Sequence, residues 1–241
     1  MKTKRDLSPR GTESAHRKDP MTTTPIVIPT KLKPIPVWKR AIDLVGAILG
    51  LAILSPLLIV VAIHIKTFSR GPVFFKHQRF GYLGQPIFVW KFRSMHIHTD
   101  PDVHQQHVLE LTQDDAQLKK INNDAHLIFL GKWLRCTAID ELPQLINVIK
   151  GEMSLVGPRP DVIPVNQYRE WQRIRFIVLP GLTGLWQVSG KNKTTFNEMN
   201  QLDADYVQRR SLWLDTKIIA MTIPSIIQLV LQSPSETRPN S

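Results

Sequence analysis

The residues of this chain best suited to chemistry lie between Arg135 and Pro160, where two adjacent carboxylates, Asp140 and Glu141, are followed by Arg159 set between Pro158 and Pro160. Glu141, Leu142 and Pro143 suit the first positions of a helix, where a missing backbone donor costs nothing, and Gly151 suits its stop. The spacing predicts a helix of about ten residues with Asp140 as its N-cap. Leu142, Leu145, Ile146 and Ile149 fall at i, i+3, i+4 and i+7, so one face should be packed and the helix start held in place. A helix start offers free N–H groups and partial positive charge, which attract phosphate and keep a capping aspartate ionised. An ionised, positioned carboxylate can act as a nucleophile. Asp-Glu at this position is equally what an ordinary cap with a dipole-compensating charge looks like, so other segments must decide.

Further cations and a flexible loop are candidates to join this pair. Residues 72–95 carry aromatic and β-branched residues interrupted by Gly81-Tyr-Leu-Gly84, which predicts a short β-hairpin. Lys91 and Arg93 stand two apart at its end and share a strand face, so both are candidate phosphate ligands; a solvated basic face fits the pattern equally well. Pro180 to Gly190 is punctuated by glycines that let backbone N–H groups approach a ligand, and Gln187 in it is taken as a substrate contact. His96, His98, His104 and His107 straddle a predicted element boundary without a carboxylate set at fixed spacing, which argues for surface histidines over zinc. Cys136 is the single cysteine, which excludes an internal disulfide and suits a reducing compartment.

The elements that must position these groups are divided unevenly along 241 residues. Residues 1–35 are a disordered basic arm by composition, and 233–241 a flexible tail. Ala41 to Ile65 is apolar apart from Asp43, Ser55 and His64, and roughly 25 helical residues reach ~38 Å, enough to cross a hydrocarbon core. Ser55-Pro56 in its middle predicts a break, since proline removes a donor and clashes with the preceding turn. Basic residues flank both ends, with Lys39 and Arg40 before and Lys66, Arg70, Lys76 and Arg79 after, which puts both ends in the cytoplasm. The segment 36–69 is therefore expected as a re-entrant membrane hairpin, with a kinked spanning helix as the alternative. Asp100-Pro101 opens a predicted polar helix to about Ile121. Leu202 to Tyr206 begins another helix, and Leu212 to Leu231 is an apolar stretch broken by Pro224 that should be packed or lie at the membrane interface. Residues 70–232 form the expected catalytic domain. The net charge of +11 points to an anionic partner: nucleic acid, acidic lipid or a phosphorylated substrate.

Taken together, the ordered motifs resemble the bacterial sugar transferase family, the monotopic phosphoglycosyl transferases. The resemblance runs from Lys39 to about Gln228 and rests on Lys39-Arg40-x-x-Asp43, Ser55-Pro56, Gly71-Pro-Val-Phe-Phe75, Lys91-Phe-Arg-Ser-Met95, Asp140-Glu-Leu-Pro-Gln144, Met153-Ser-Leu-Val-Gly-Pro-Arg-Pro160, Pro180-Gly-Leu-Thr-Gly184 and Leu202-Asp-x-Asp-Tyr206. The chain looks like the short, catalytic-core form, without a multi-helix N-terminal membrane region. The resemblance implies an α-rich α+β fold, with a re-entrant helix-break-helix, a small β-hairpin and several packed or membrane-interface helices. It implies transfer of a hexose-1-phosphate from a UDP-sugar to undecaprenyl phosphate, which starts exopolysaccharide, capsule or O-antigen synthesis. Asp140 would be the nucleophile that carries the phosphosugar, and Glu141 the ligand of Mg²⁺ or Mn²⁺. Arg159 would grip a phosphate bidentately, aided by Lys91, Arg93 and Arg135. The implied location is the bacterial inner membrane with the catalytic domain facing the cytoplasm; a homo-oligomer is allowed.

Two other classes were weighed. A catalytically inactive scaffold of the same fold predicts damage at Asp140, Glu141 or Arg159, and all three are intact. A nucleic-acid binder predicts a recognition helix or aromatics interleaved on a basic face, and leaves Ala41–Ile65 without a purpose, so no nucleic-acid partner is expected.

Overall fold

The computed structural model describes residues 34–95, 127–190 and 194–232. Residues 1–33 of the expected basic arm, the polar helix at 100–121 with His96, His98, His104 and His107, and the tail 233–241 lie outside the described residues.

One long helix, α1 (Val37–Phe68), carries the apolar run. The break expected at Ser55 and Pro56 does not interrupt it. Pro56 has no N–H to offer the Ala52 carbonyl four residues back, and Ser55 Oγ donates to that same oxygen at 2.8 Å, so the orphaned group is satisfied within the helix. One side of α1 is buried near both ends: Ala47 packs with Leu145, Val148 and Met153, and beyond the proline Val61 and Ile65 pack with Phe92, Ile128 and Leu134. Its opposite face leaves Val45, Ile48, Ile53, Val60 and Ile63 exposed. Exposed apolar area on this scale marks contact with a membrane or partner.

Lys39 and Arg40, expected as a basic flank of the apolar segment, are tied into the protein. Lys39 Nζ donates to Asp215 Oδ2 at 2.6 Å and to Val156 O at 2.9 Å. Arg40 donates to the carbonyls of Val148 and Ile149 at 2.6 and 2.7 Å, capping a helix end with a cation. Asp43, 1% exposed, accepts from Ser154 Oγ and from Leu155 N–H, each at 2.8 Å. The motif Lys39-Arg40-x-x-Asp43 is thus a set of tethers joining the first turns of α1 to the rest of the chain.

The expected hairpin is present: β1 (Phe74–Phe80) pairs antiparallel with β2 (Pro86–Phe92), with Phe75 opposite Lys91. Its turn needs Gly84 at φ +72°, where a Cβ would also meet Val165 Cγ1 at 2.9 Å. After α2 (Gly131–Cys136) comes a 3₁₀ turn (Ile139–Gln144) leading into α3 (Leu145–Lys150). Asn147, fully buried, donates to Phe88 O at 2.8 Å and accepts from Trp90 N–H at 3.1 Å, so its amide pairs with β2 as a neighbouring strand would. Two short strands, β3 (Ser154–Val156) and β4 (Gly181–Thr183), then pair in parallel. A Cβ on Gly181 would stand 2.1 Å from Gly157 N, so the approach of these backbones requires glycine. Past α4 (Leu185–Val188), α5 (Phe196–Arg209) starts with a capping box between Thr195 and Glu198.

The last helix, α6 (Leu212–Gln232), is like α1 long and apolar enough to cross a membrane by length and composition. Its one acidic residue, Asp215, is turned into the protein: it is 2% exposed and bound by Lys39 and by Tyr206 Oη at 2.9 Å. The observed architecture agrees with the expectation of a helix-rich chain with a small hairpin and an apolar N-terminal helix.

Because the Asp43 carboxylate serves two donors, Asp43→Ala leaves Leu155 N–H in want of an acceptor and Ser154 Oγ with Val156 O alone, at a cost of about 2 kcal/mol. In detergent this should lower the thermal midpoint by roughly 5 °C or more, with Asp43→Asn milder because it keeps one acceptor oxygen. An unshifted Asp43→Ala midpoint would contradict the tether.

Candidate active site

Asp140 is not an N-cap. It lies inside the 3₁₀ turn, whose preceding residue, Ala138, is left-handed at φ 56°, and no side chain caps the turn. The helix expected as one piece is divided because Pro143 cannot donate backward, so the tighter turn runs to Gln144 before α-helical bonding starts at Leu145. Gly151 ends α3 at φ 83°, as the sequence predicts. The turn packs on β2, and Asn147 fixes that packing, so Lys91 on β2 faces the carboxylates.

Glu141 is held by two cations from different segments. Lys91 Nζ donates to its Oε1 at 2.8 Å. Arg159 forks onto it, Nη1 to Oε2 at 2.8 Å and Nη2 to Oε1. Arg159 is itself fixed from behind: its carbonyl accepts from Arg175 Nη2 at 2.8 Å, and the carbonyl of Pro158 accepts from Gly181 N–H, also at 2.8 Å. Arg175 is 3% exposed and surrounded by Asp161 at 3.2 Å, Tyr168 Oη at 3.0 Å and Asp203 at 3.0 Å. Tyr168 in turn donates to Asp161 at 2.7 Å.

The charges explain the titration. Burial, and after it the neighbouring Glu141, push the Asp140 carboxyl up to about 6 against the pull of Lys91, Arg135 and Arg159. Burial disfavours the Arg159 cation, yet the charge and bonds of Glu141 outweigh it and hold the proton more tightly than usual. Lys91 is shifted the other way, since burial outweighs Glu141. Arg79, also buried, is lowered to about 10 by burial and by the Arg159 charge. Asp140 is thus a buried carboxylate among three cations, Lys91, Arg135 and Arg159, with one acidic neighbour in sequence.

Of the residues expected at the site, Asp140, Glu141, Lys91 and Arg159 are brought together. Arg135 donates to Met95 Sδ at 3.5 Å and contributes its charge to Asp140. Arg93 is turned elsewhere: its guanidinium donates to Arg70 O at 2.8 Å and Ser69 O at 2.9 Å, which fixes the exit from α1. Lys91 ends on one side of β2 and Arg93 lies just past it, so the shared face does not carry them to one place. Gln187 donates to Leu182 O at 3.0 Å and lines a cavity of about 810 Å³ that also reaches Glu141. Sequence reasoning missed Arg79, Asp161, Tyr168, Arg175 and Asp203. Only Asp203 had a signal, in Leu202-Asp-x-Asp-Tyr206, whose Asp203 meets Arg175 and whose Tyr206 donates to Val156 O at 3.0 Å.

Adjacent Asp140 and Glu141 offer hard oxygen donors of the kind Mg²⁺ prefers. Among the described residues no group of three or more His, Cys, Asp or Glu could hold a metal. The pair therefore fits a divalent ion only in the mode that uses one or two carboxylates and completes its shell with substrate phosphates and water.

Residues 35–229 match the family described as bacterial sugar transferase. The chain belongs to that family. It is 41% identical over 196 residues to the UDP-glucose:undecaprenyl-phosphate glucose-1-phosphate transferase of Klebsiella pneumoniae, covering 78% of this chain and 39% of that protein. The galactosyl transferase CpsE of Streptococcus agalactiae is 39% identical over 191 residues, covering 78% and 42%. A UDP-glucose:undecaprenyl-phosphate glucose-1-phosphate transferase of Caulobacter vibrioides is 40% identical over 199 residues, covering 78% and 69%. The chain spans about two fifths of the length of the first two relatives.

The raised Asp140 pKa has a consequence for this family member's stability. Folded protein binds a proton here that unfolded protein, with an ordinary value of 3.8, has released, so stability falls as pH rises from about 4 through 6. Asp140→Asn removes the buried charge and should raise the thermal midpoint by roughly 2–6 °C at pH 8. At pH 4 the difference should nearly vanish. A lower midpoint than wild type at pH 8 would show that Asp140 is net stabilising as an anion.

Proposed function

We propose that this protein transfers a hexose-1-phosphate from a UDP-sugar to a polyprenyl phosphate through a covalent phosphosugar on Asp140. The observation that carries the reading is the buried Asp140 carboxylate set among Lys91, Arg135 and Arg159, in a chain whose relatives are named as such transferases. Phosphoryl transfer asks a protein mainly for positioning and charge neutralisation, and the site supplies both.

In the first step an Asp140 oxygen attacks the β-phosphorus of the nucleotide sugar. The phosphoanhydride bond breaks, and UMP leaves with the bonding electron pair. In the second, a phosphate oxygen of the lipid attacks the same phosphorus, the bond to Asp140 breaks, and the carboxylate is restored with a polyprenyl diphosphate sugar as product. Arg159 and Lys91, drawn together by Glu141, lie where they can take up charge on the transferring phosphate. Glu141 would exchange part of these bonds to hold Mg²⁺ or Mn²⁺, which supplies neutralisation of the diphosphate oxygens. A pKa of about 6 leaves Asp140 ionised at neutral pH. The relatives' names include both glucose and galactosyl transfer, so the sugar is a matter of pocket contacts for a substrate panel to decide.

Contacts at both ends of α1 support a membrane arrangement. Lys39 and Asp43 near its start, and Val61 and Ile65 near its end, all pack on the same body as the active site. A helix crossing a bilayer could not have both ends against one cytoplasmic domain. We therefore place α1 in one leaflet of the bacterial inner membrane, with its exposed apolar face in lipid and both termini cytoplasmic.

Membrane fractions supplied with UDP-glucose, UDP-galactose or N-acetylated analogues, undecaprenyl phosphate and Mg²⁺ should release UMP, and EDTA should stop it. Radiolabelled sugar should remain on wild-type protein when acceptor is withheld, and not on Asp140→Asn. Turnover by Asp140→Asn at the wild-type rate would rule out the covalent route. For topology, Val37→Cys and Phe68→Cys, each with Cys136 replaced by alanine, should both resist a membrane-impermeant maleimide on intact cells and react in inverted vesicles. Labelling of one but not the other in intact cells would mean that α1 crosses.

A further inference from the structure

The cavity beside the active site is walled by the two apolar helices. Ala41, Ile42 and Val45 of α1 form one wall, and Ile219, Ile223 and Ile226 of α6 the other. Leu155 and Leu182 are also in its lining, and Ala138, Glu141 and Leu142 bring it to the 3₁₀ turn that carries Asp140. Most hydroxyls of the lining are already engaged within the protein: Thr183 and Thr222 bond each other at 2.8 Å, Thr222 also donates to Ile218 O at 2.8 Å, and Ser225 donates to Met221 O at 2.8 Å. What remains toward the cavity is chiefly hydrocarbon.

We propose that this groove between α1 and α6 binds the first isoprene units of the lipid acceptor, with the acceptor's phosphate at the Asp140–Glu141 end. The inference rests on the transferase reading above. Three features favour this occupant. A volume of about 810 Å³ is in the range that encloses small ligands, so it takes part of a long chain and leaves the remainder to the membrane. Lys91 and Arg159, both bonded to the lining residue Glu141, and Arg135 gather around Asp140 at one end only, which matches an anionic head on an apolar chain. A uridine diphosphate in the groove would bury many lone pairs and donors against hydrocarbon, a cost of a few kcal/mol for each group left unpaired. The exposed outer faces of α1 and α6, with Val45 and Ile223 at the groove margins, give the chain a path from the bilayer.

The test separates the two half-reactions in the full-length protein reconstituted in nanodiscs. Ala41→Trp and Ile226→Trp fill the groove from opposite walls, and Ile227→Trp, on α6 but outside the lining, is the control. The filling variants should raise the KM for undecaprenyl phosphate about tenfold or more, a change of about 1.4 kcal/mol, and keep the single-turnover release of UMP without acceptor. Ile227→Trp should match wild type in both. A wild-type acceptor KM in both filling variants overturns the proposal, and so does an equal loss of the UMP burst, which would assign the groove to the nucleotide sugar.

If wild type releases no UMP from any UDP-sugar, the transferase reading fails, and the groove is judged by binding alone. A diazirine-bearing polyprenyl phosphate should then label peptides spanning 219–229, with competition by undecaprenyl phosphate but not by phosphatidylglycerol. Absence of that label, or equal competition by phosphatidylglycerol, overturns the proposal.

Discussion

The double hold on the Glu141 carboxylate, by Lys91 and by the fork of Arg159, is the interaction on which the site depends. It joins three segments distant in sequence: the end of β2, the 3₁₀ turn and the proline-bracketed loop after β3. Ion pairs buried to this degree return little net stability, because desolvating both partners consumes most of their attraction. Their value is in geometry. With Glu141 occupied by two cations, Asp140 is left as the carboxylate beside them, and burial with the Glu141 charge raises its pKa to about 6.

A second layer keeps that hold from relaxing. Arg175, held by Asp161, Tyr168 and Asp203, fixes the backbone of Arg159 and so limits where the fork can reach. Burial raises Asp203 to about 6 even with Arg175 beside it, the mark of an anion kept for position at a cost in solvation. The cluster around Tyr168, Phe176 and Phe196 excludes water from these charges and strengthens their interaction.

The apolar helices obey a related constraint. A charge at the start of a long apolar helix must find a partner, and Lys39, Arg40, Asp43 and Asp215 all find theirs inside the protein. These bonds set α1 and α6 against the catalytic elements, so the apolar surface and the carboxylates share one boundary. A reaction between a water-soluble nucleotide sugar and a lipid phosphate needs that juxtaposition.

Local chemistry in the sequence determined the apolar helix, the hairpin with its glycine turn, the stop at Gly151 and the pairing of Asp140 with Glu141 and Arg159 as candidates, because each follows from neighbouring residue types or from motif order. Tertiary structure decided the rest. Ser55 relieves the carbonyl that Pro56 orphans, so a proline that signals a break leaves the helix whole. Pro143 yields a 3₁₀ turn in place of a capped α-helix, a choice between bonding patterns of similar energy that packing on β2 settles. Lys91 and Arg93 look alike in sequence, yet one meets Glu141 and the other the carbonyls at the end of α1. Asn147 and Arg175 carry no local pattern at all, and Lys39 reads from its neighbours only as part of a basic flank. Phe88 for Asn147, Asp203 for Arg175 and Asp215 for Lys39 lie tens of residues away or more, and only the folded chain brings a buried donor to the acceptor that satisfies it.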